Sequence, residues 1–228
     1  MDPVLAGVAL LVVAGSVGVV SLRDARAALL ALAVVLVGSP LLADPPVAPL
    51  GLAARSIGAV LAVYLLWIAT RGRKDPDGDP VPTEGSRIGW PADVLLAAAA
   101  GVAGATVLGP SVPGAGAGWP GAAGLAGAAG FALGVLSIAP ILTGRDVLRI
   151  GLGLIVLVDA GSLIRTALGG SPTSFEHLLS AGLLVTVAGV LTALVMAARV
   201  QGTAGLALVA DSRPAGRRSS DVRPVGPG

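Results

Sequence analysis

An all-α, polytopic membrane bundle of about seven transmembrane helices is the fold class this sequence predicts. Of 228 residues, 54% are hydrophobic and only 12% charged, with a mean hydropathy of +0.89; a soluble domain carries roughly a quarter of its residues as charges. The apolar residues gather in seven stretches of roughly 17–24 residues, each long enough to cross a ~30 Å hydrocarbon core as a helix. The basic residues fall in alternate connections between those stretches. Lipid offers backbone amides no hydrogen-bond partner, so isolated apolar runs of this length are helices.

The spans read as Pro3–Val20, Ala27–Leu42, Leu50–Thr70, Pro91–Gly109, Gly121–Thr143, Val147–Leu168 and Leu178–Ala198. The first is kept as a helix rather than a signal peptide, because Asp2 stands where a basic n-region belongs and Arg23 and Arg26 follow the apolar stretch. One bundle, 1–210, is expected. Within it, three helices (1–70) are joined to four helices (91–210) by a linker, 71–90. That linker contains the run Asp75-Pro76-Asp77-Gly78-Asp79-Pro80; its prolines and its lack of a loop-closing ligand set favour a solvated linker over a cation site. The tail 211–228, rich in Arg, Ser, Pro and Gly, has the composition of a disordered segment.

Orientation follows from the charges. Arg23 and Arg26, then Arg71, Arg73, Lys74 and Arg87, then Arg145 and Arg149, then Arg199, Arg213, Arg217, Arg218 and Arg223 all lie on one side. The opposite connections, around Asp44–Pro49, Pro110–Pro120 and Gly169–His177, carry no Lys or Arg. By the positive-inside rule the N-terminus faces out and the C-terminus faces the cytoplasm. Trp67, Trp90 and Trp119 fall near the expected membrane–water boundaries, as interfacial anchors do. One Lys against fourteen Arg, with abundant Ala and Gly, is the mark of a high-GC genome, so a multi-pass protein of a bacterial cell membrane is expected.

Several chemistries are excluded at the outset. Without cysteine there are no disulfides, thiolate-held iron–sulfur clusters or cysteine-ligated zinc. His177 is the only histidine, so bis-histidine haem and multi-histidine metal sites are excluded as well. The pI of about 9.9 does not point to nucleic acid, because the net charge is only +2 and the basic residues serve topology. A P-loop, a GxSxG elbow and an HExxH pair are all missing. No catalytic residue, cofactor or metal is therefore expected of this chain itself.

What remains are ionisable groups inside the spans: Arg55, Asp159 and Arg165. Asp159 lies twelve residues into the sixth span, about 18 Å from its start and near the bilayer midplane. A carboxylate there costs ~2.5–3.5 kcal/mol to insert, so it faces the bundle interior or holds its proton. Two readings stand side by side: a proton-relay group, or a packing residue hydrogen-bonded to Ser162 or to a neighbouring helix. Arg165, six residues on, points roughly the opposite way and snorkels to the outer headgroups. Arg55 does the same from the third span unless it faces inward, where it would pair Asp159. Glu176 and His177 read as a solvent-facing pair. Gly130 and Gly134, with Gly124 and Gly127, offer a surface on which another helix can lie close.

The run Gly144-Arg145-Asp146-Val147-Leu148-Arg149, followed by an apolar helix, Asp159-Ala160-Gly161-Ser162, a short loop and a last helix ending Ala197-Ala198-Arg199, resembles component E of hydrogenase-4-type membrane complexes. The C-terminal part, 121–200, is similar to the three-helix K-type subunit of respiratory complex I. The resemblance covers roughly Phe131–Ala210, and the N-terminal half by architecture. It implies a non-catalytic membrane-arm subunit, packed among antiporter-like membrane subunits, with Asp159 at the family's intramembrane glutamate. It departs from the family where a helix-three lysine is replaced near Ala59, a histidine by Leu163 and a last-helix aspartate near Thr186. Proton-path candidates are then Asp159, Ser162, Arg55 and Arg165. The alternatives are the C-type small subunit of a multisubunit cation/proton antiporter and a stand-alone membrane protein.

Overall fold

The computed structural model describes residues 3–43, 47–71, 89–108, 121–144, 146–170 and 172–200. The acidic linker run, Trp119 and the C-terminal tail lie outside them. The described residues form seven α-helices and no strand: α1 (Pro3–Ser21), α2 (Ala25–Gly38), α3 (Pro49–Thr70), α4 (Trp90–Leu108), α5 (Ala122–Thr143), α6 (Val147–Gly169) and α7 (Ser174–Val200). All seven are long and apolar enough to cross a membrane, counting the turn that prolongs α2. Large apolar side chains such as Leu10, Leu95 and Leu142 are more than two-thirds exposed, as lipid-facing residues are. The chain is a multi-pass membrane protein.

Local chemistry starts the helices. Asp24 caps α2 by accepting the Arg26 amide at 3.0 Å, and Asp146 caps α6 by accepting the Leu148 amide at 3.1 Å. Pro49 opens α3, where its missing N–H costs nothing. Two boundaries differ from the sequence reading. The second span is not one helix: Gly38-Ser39-Pro40 ends α2, and the chain continues as a 3-10 turn, Ser39–Leu42, because Pro40 cannot donate to the carbonyl four residues back. The seventh helix begins at Ser174, four residues before the expected Leu178. Thr173 and Glu176 form a capping box, with the Thr173 amide donating to Glu176 Oε2 at 2.7 Å and the Glu176 amide to Thr173 Oγ1 at 3.3 Å.

Close approaches at glycines fix the direction of each helix. Gly15 and Gly18 pack on Ala31 while Gly38 meets Val12, so α1 and α2 are antiparallel. Gly104 meets Gly127 and Phe131, whereas Gly127 meets Leu108, so α4 and α5 are antiparallel; Gly130 meets Ala160 and Ile164, whereas Gly153 meets Pro140, which sets α6 against α5. Gly51 meets His177 and Gly58 meets Ala181, so α3 and α7 run parallel. The ends of α1 and α3 therefore share a side with the starts of α4 and α6. Arg23, Arg26, Arg71 and Arg149 stand at that side, and Arg165 at the other. The glycine row expected in α5 serves two partners, Gly127 facing α4 and Gly130 facing α6.

Packing is uneven. Helices α1, α2, α4, α5 and α6 form the body, with the broadest contacts between α5 and α6 and between α4 and α5. Helix α3 makes its main contact with α7, across the sequence divide, and this pair meets the body through narrower contacts of α3 with α2 and of α7 with α6. A seam results, and two cavities lie along it.

The Gly104–Gly127 contact tests the body. A Cβ on Gly104 would stand 2.6 Å from the Gly127 carbonyl oxygen, backbone that cannot yield, whereas one on Gly182 meets nothing within 4 Å. Gly104→Ala is expected to lower stability in detergent by about 1–3 kcal/mol. Gly182→Ala should stay within about 0.5 kcal/mol of the parent, and thermal unfolding of the two variants side by side reads the difference.

Candidate functional site

Asp159 is fully buried and Arg55 is 3% exposed, and the two form an ion pair through Arg55 Nη2 and Asp159 Oδ1. Arg55 comes from the second turn of α3 and Asp159 from the middle of α6. These two helices share little backbone contact of their own, so the pair is the principal tie between them. The same guanidinium nitrogen donates to Ser162 Oγ at 3.3 Å. The Ser162 hydroxyl donates to the Asp159 main-chain carbonyl at 2.7 Å, while the bonds to the carboxylate from neighbouring helices come from Arg55 and Ser39.

A third residue escaped the sequence reading. Ser39, buried at the helix break, donates to Asp159 Oδ1 at 2.9 Å and lies 3.5 Å from the Leu36 carbonyl oxygen. A hydroxyl has one proton, and the shorter, charge-assisted bond takes it. The break at Pro40 thus delivers a donor to the buried carboxylate, as interrupted membrane helices do where they line an interior site. Gly-Ser-Pro inside an apolar span was the legible signal.

The two carboxylate oxygens are unequal. Oδ1 receives both Arg55 and Ser39, while Oδ2 is buried and has no hydrogen-bond partner among the described residues. The Arg55 Nε is in the same condition. His177 Nε2, Ser180 Oγ and Thr192 Oγ1 share that condition, and a buried polar atom without a partner calls for a physical explanation.

Above the pair lies a cavity of about 260 Å³, room for several waters. Ser39, Arg55 and Ser162 line its inner part; Arg165, Glu176 and Pro172 line the part nearest the α6–α7 connection. Arg165 does not join the buried pair. It is half-exposed, donating to the Gly170 carbonyl at 3.1 Å and pairing with Glu176 at 2.5 Å. Gly170 turns the chain there with φ of +76°, open to glycine at little cost. His177 corrects the expectation of a solvent-facing residue: it is buried and lines the cavity. Because α7 starts early, His177 stands in the first helical turn, and its ring rests where Gly51 of α3 has no Cβ.

A second polar cluster lies at the opposite end of the bundle. Asp93, 1% exposed in the first turn of α4, accepts the Ser21 hydroxyl at 2.8 Å. Arg149, read from sequence as a topology charge, is buried and donates to the Val20 carbonyl, so it satisfies the open C-terminal end of α1. Both sit within four residues of a helix start, where a charge reads as a headgroup contact. Beside this cluster Val20, Ala97, Ala132 and Leu136 pack together in a small apolar core of their own. Ala59 and Leu163 are buried and apolar, and Thr186 is exposed with its hydroxyl turned to the Gly182 carbonyl. Among the described residues no group of three or more His, Asp and Glu is placed to hold a metal ion.

Comparison with family models, with curated proteins and with solved structures yields no match.

The pair's energetics are open to test. Removing one partner of a buried pair costs about 3–5 kcal/mol, whereas replacing both with apolar residues is often neutral. Arg55→Leu alone is therefore expected to lose most of the folded yield in detergent, and Arg55→Leu with Asp159→Leu to recover it. Size-exclusion profiles and melting temperatures of the single and double variants decide the point.

Proposed function

We propose that this chain is a non-catalytic membrane subunit of a proton-translocating complex of the hydrogenase-4 and complex-I type, in a bacterial cell membrane, and that Asp159 holds the proton in transit. The observation that carries the proposal is the asymmetry of its carboxylate. Oδ1 is held by Arg55 and Ser39, and Oδ2 is bare. A proton arriving from water in the cavity binds Oδ2 without displacing either donor. Neutral Asp159 then attracts Arg55 less, and the guanidinium keeps Ser162 as an acceptor on the same face. Loss of the proton restores the pair. Arg55, Asp159 and Ser162 are thus the holding site, and Arg165 with Glu176 belongs to the entrance.

The sequence likeness around Gly144–Ser162 supports the family reading. So does the chemistry of α3: the family's lysine is replaced near Ala59, yet Arg55 stands one helical turn before it and offers a cation from the same helix face. The antiporter-like partners belong to the same proposal, as does an orientation with the Arg23 side in the cytoplasm.

Asn is nearly isosteric with Asp and accepts the same two hydrogen bonds but cannot titrate. Asp159→Asn keeps both hydrogen bonds but leaves Arg55 without its counter-charge, so it is expected to lower the yield of folded protein and, in the complex recovered with mild detergent, to lower protons moved per electron. Full coupling in the Asn variant would remove the relay role. Purification of the parent as a lone chain, with no antiporter-like subunit beside it, would remove the assignment to such a complex. For orientation, a reporter fused after Arg199 should report cytoplasm and one inserted near Gly114 the exterior.

A further inference from the structure

We infer that the α2–α3 part of the seam is a binding site for an anionic phospholipid, one acyl chain lying between the two helices and the headgroup at Arg26. A groove of about 450 Å³ runs there. Its walls are apolar, including Ala33, Val37, Val60 and Val63, and charge enters it only at one end, with Arg26. Trp67 lines the groove, and the Arg71 guanidinium lies 3.3 Å over its ring. Arg26 is the second residue of α2 and Arg71 directly follows α3, so both cations stand at one membrane surface.

Three features select a lipid as the occupant. From Arg26 to Val37 the groove follows α2 for roughly 16 Å at about 1.5 Å per residue. That is close to the depth of one leaflet, half of a ~30 Å hydrocarbon core. The charge is complementary to a phosphate and sits at headgroup level, where basic pockets between transmembrane helices hold anionic lipids. The neighbouring groove between α1 and α2, lined by Val4, Leu11, Val34 and Leu41, has no charged residue and offers no such selection. A bound chain would fill the narrow side of the seam, bracing α3, and with it Arg55, against α2. This site is independent of the role assigned to Asp159.

Trp67 reports on the groove directly. The full chain with Trp90→Phe and Trp119→Phe, leaving Trp67 as its only tryptophan, would be reconstituted in phosphatidylcholine vesicles. These would contain a minor fraction of phosphatidylglycerol brominated on its acyl chains, or the same fraction of brominated phosphatidylcholine. One arginine at the surface is worth roughly fivefold in preference, so brominated phosphatidylglycerol is expected to quench Trp67 as though about fivefold enriched. Arg26→Gln should bring the two lipids close to equality, and Ala33→Leu should lower quenching by both. Equal quenching in the parent would overturn the inference. So would shielding of Trp67 from both lipids by a co-purifying protein, which would make the groove a helix-docking face.

Discussion

A carboxylate and a guanidinium buried within an apolar bundle persist only in each other's company, and that requirement organises this bundle. Asp159 alone at its depth would cost several kcal/mol, and Arg55 alone on α3 would have to reach for the surface. Paired, they join α6 to α3, two helices with little other contact. Since α3 carries α7 with it, the pair sets the position of a two-helix unit on a five-helix body. Ser39 completes the arrangement only because α2 breaks at Pro40.

The body and the peripheral pair are built on different principles. In the body, glycines on α1, α4, α5 and α6 bring backbones together, and dispersion over close-packed surfaces does the work that hydrophobic exclusion does in water. At the seam, contact is thinner and polar groups take over. A cavity beside a buried ion pair fits there because a loosely packed boundary leaves room that a glycine-packed interface does not.

The two polar clusters stand at different depths of the bundle, Asp93 with Ser21 at one end and Arg55 with Asp159 farther in, beside the cavity.

Fold class, number of helices and alternation of their ends were determined by the sequence alone, because lipid imposes one rule on every span: satisfy the backbone internally and keep charge at the ends. That rule is local and can be read from runs of residues. It also singled out Arg55 and Asp159 as the costly groups. Which way Arg55 turned was decided only by the tertiary structure, since α3 is apolar on most faces and its rotation depends on α7. Ser39 and His177 joined the site for the same kind of reason: a proline break and an early capping box moved them inward. Asp93 and Arg149, each within four residues of a helix start, look alike in sequence whether they meet headgroups or the bundle interior. Burial there is settled by which helix end lies opposite, a long-range fact that no run of residues contains.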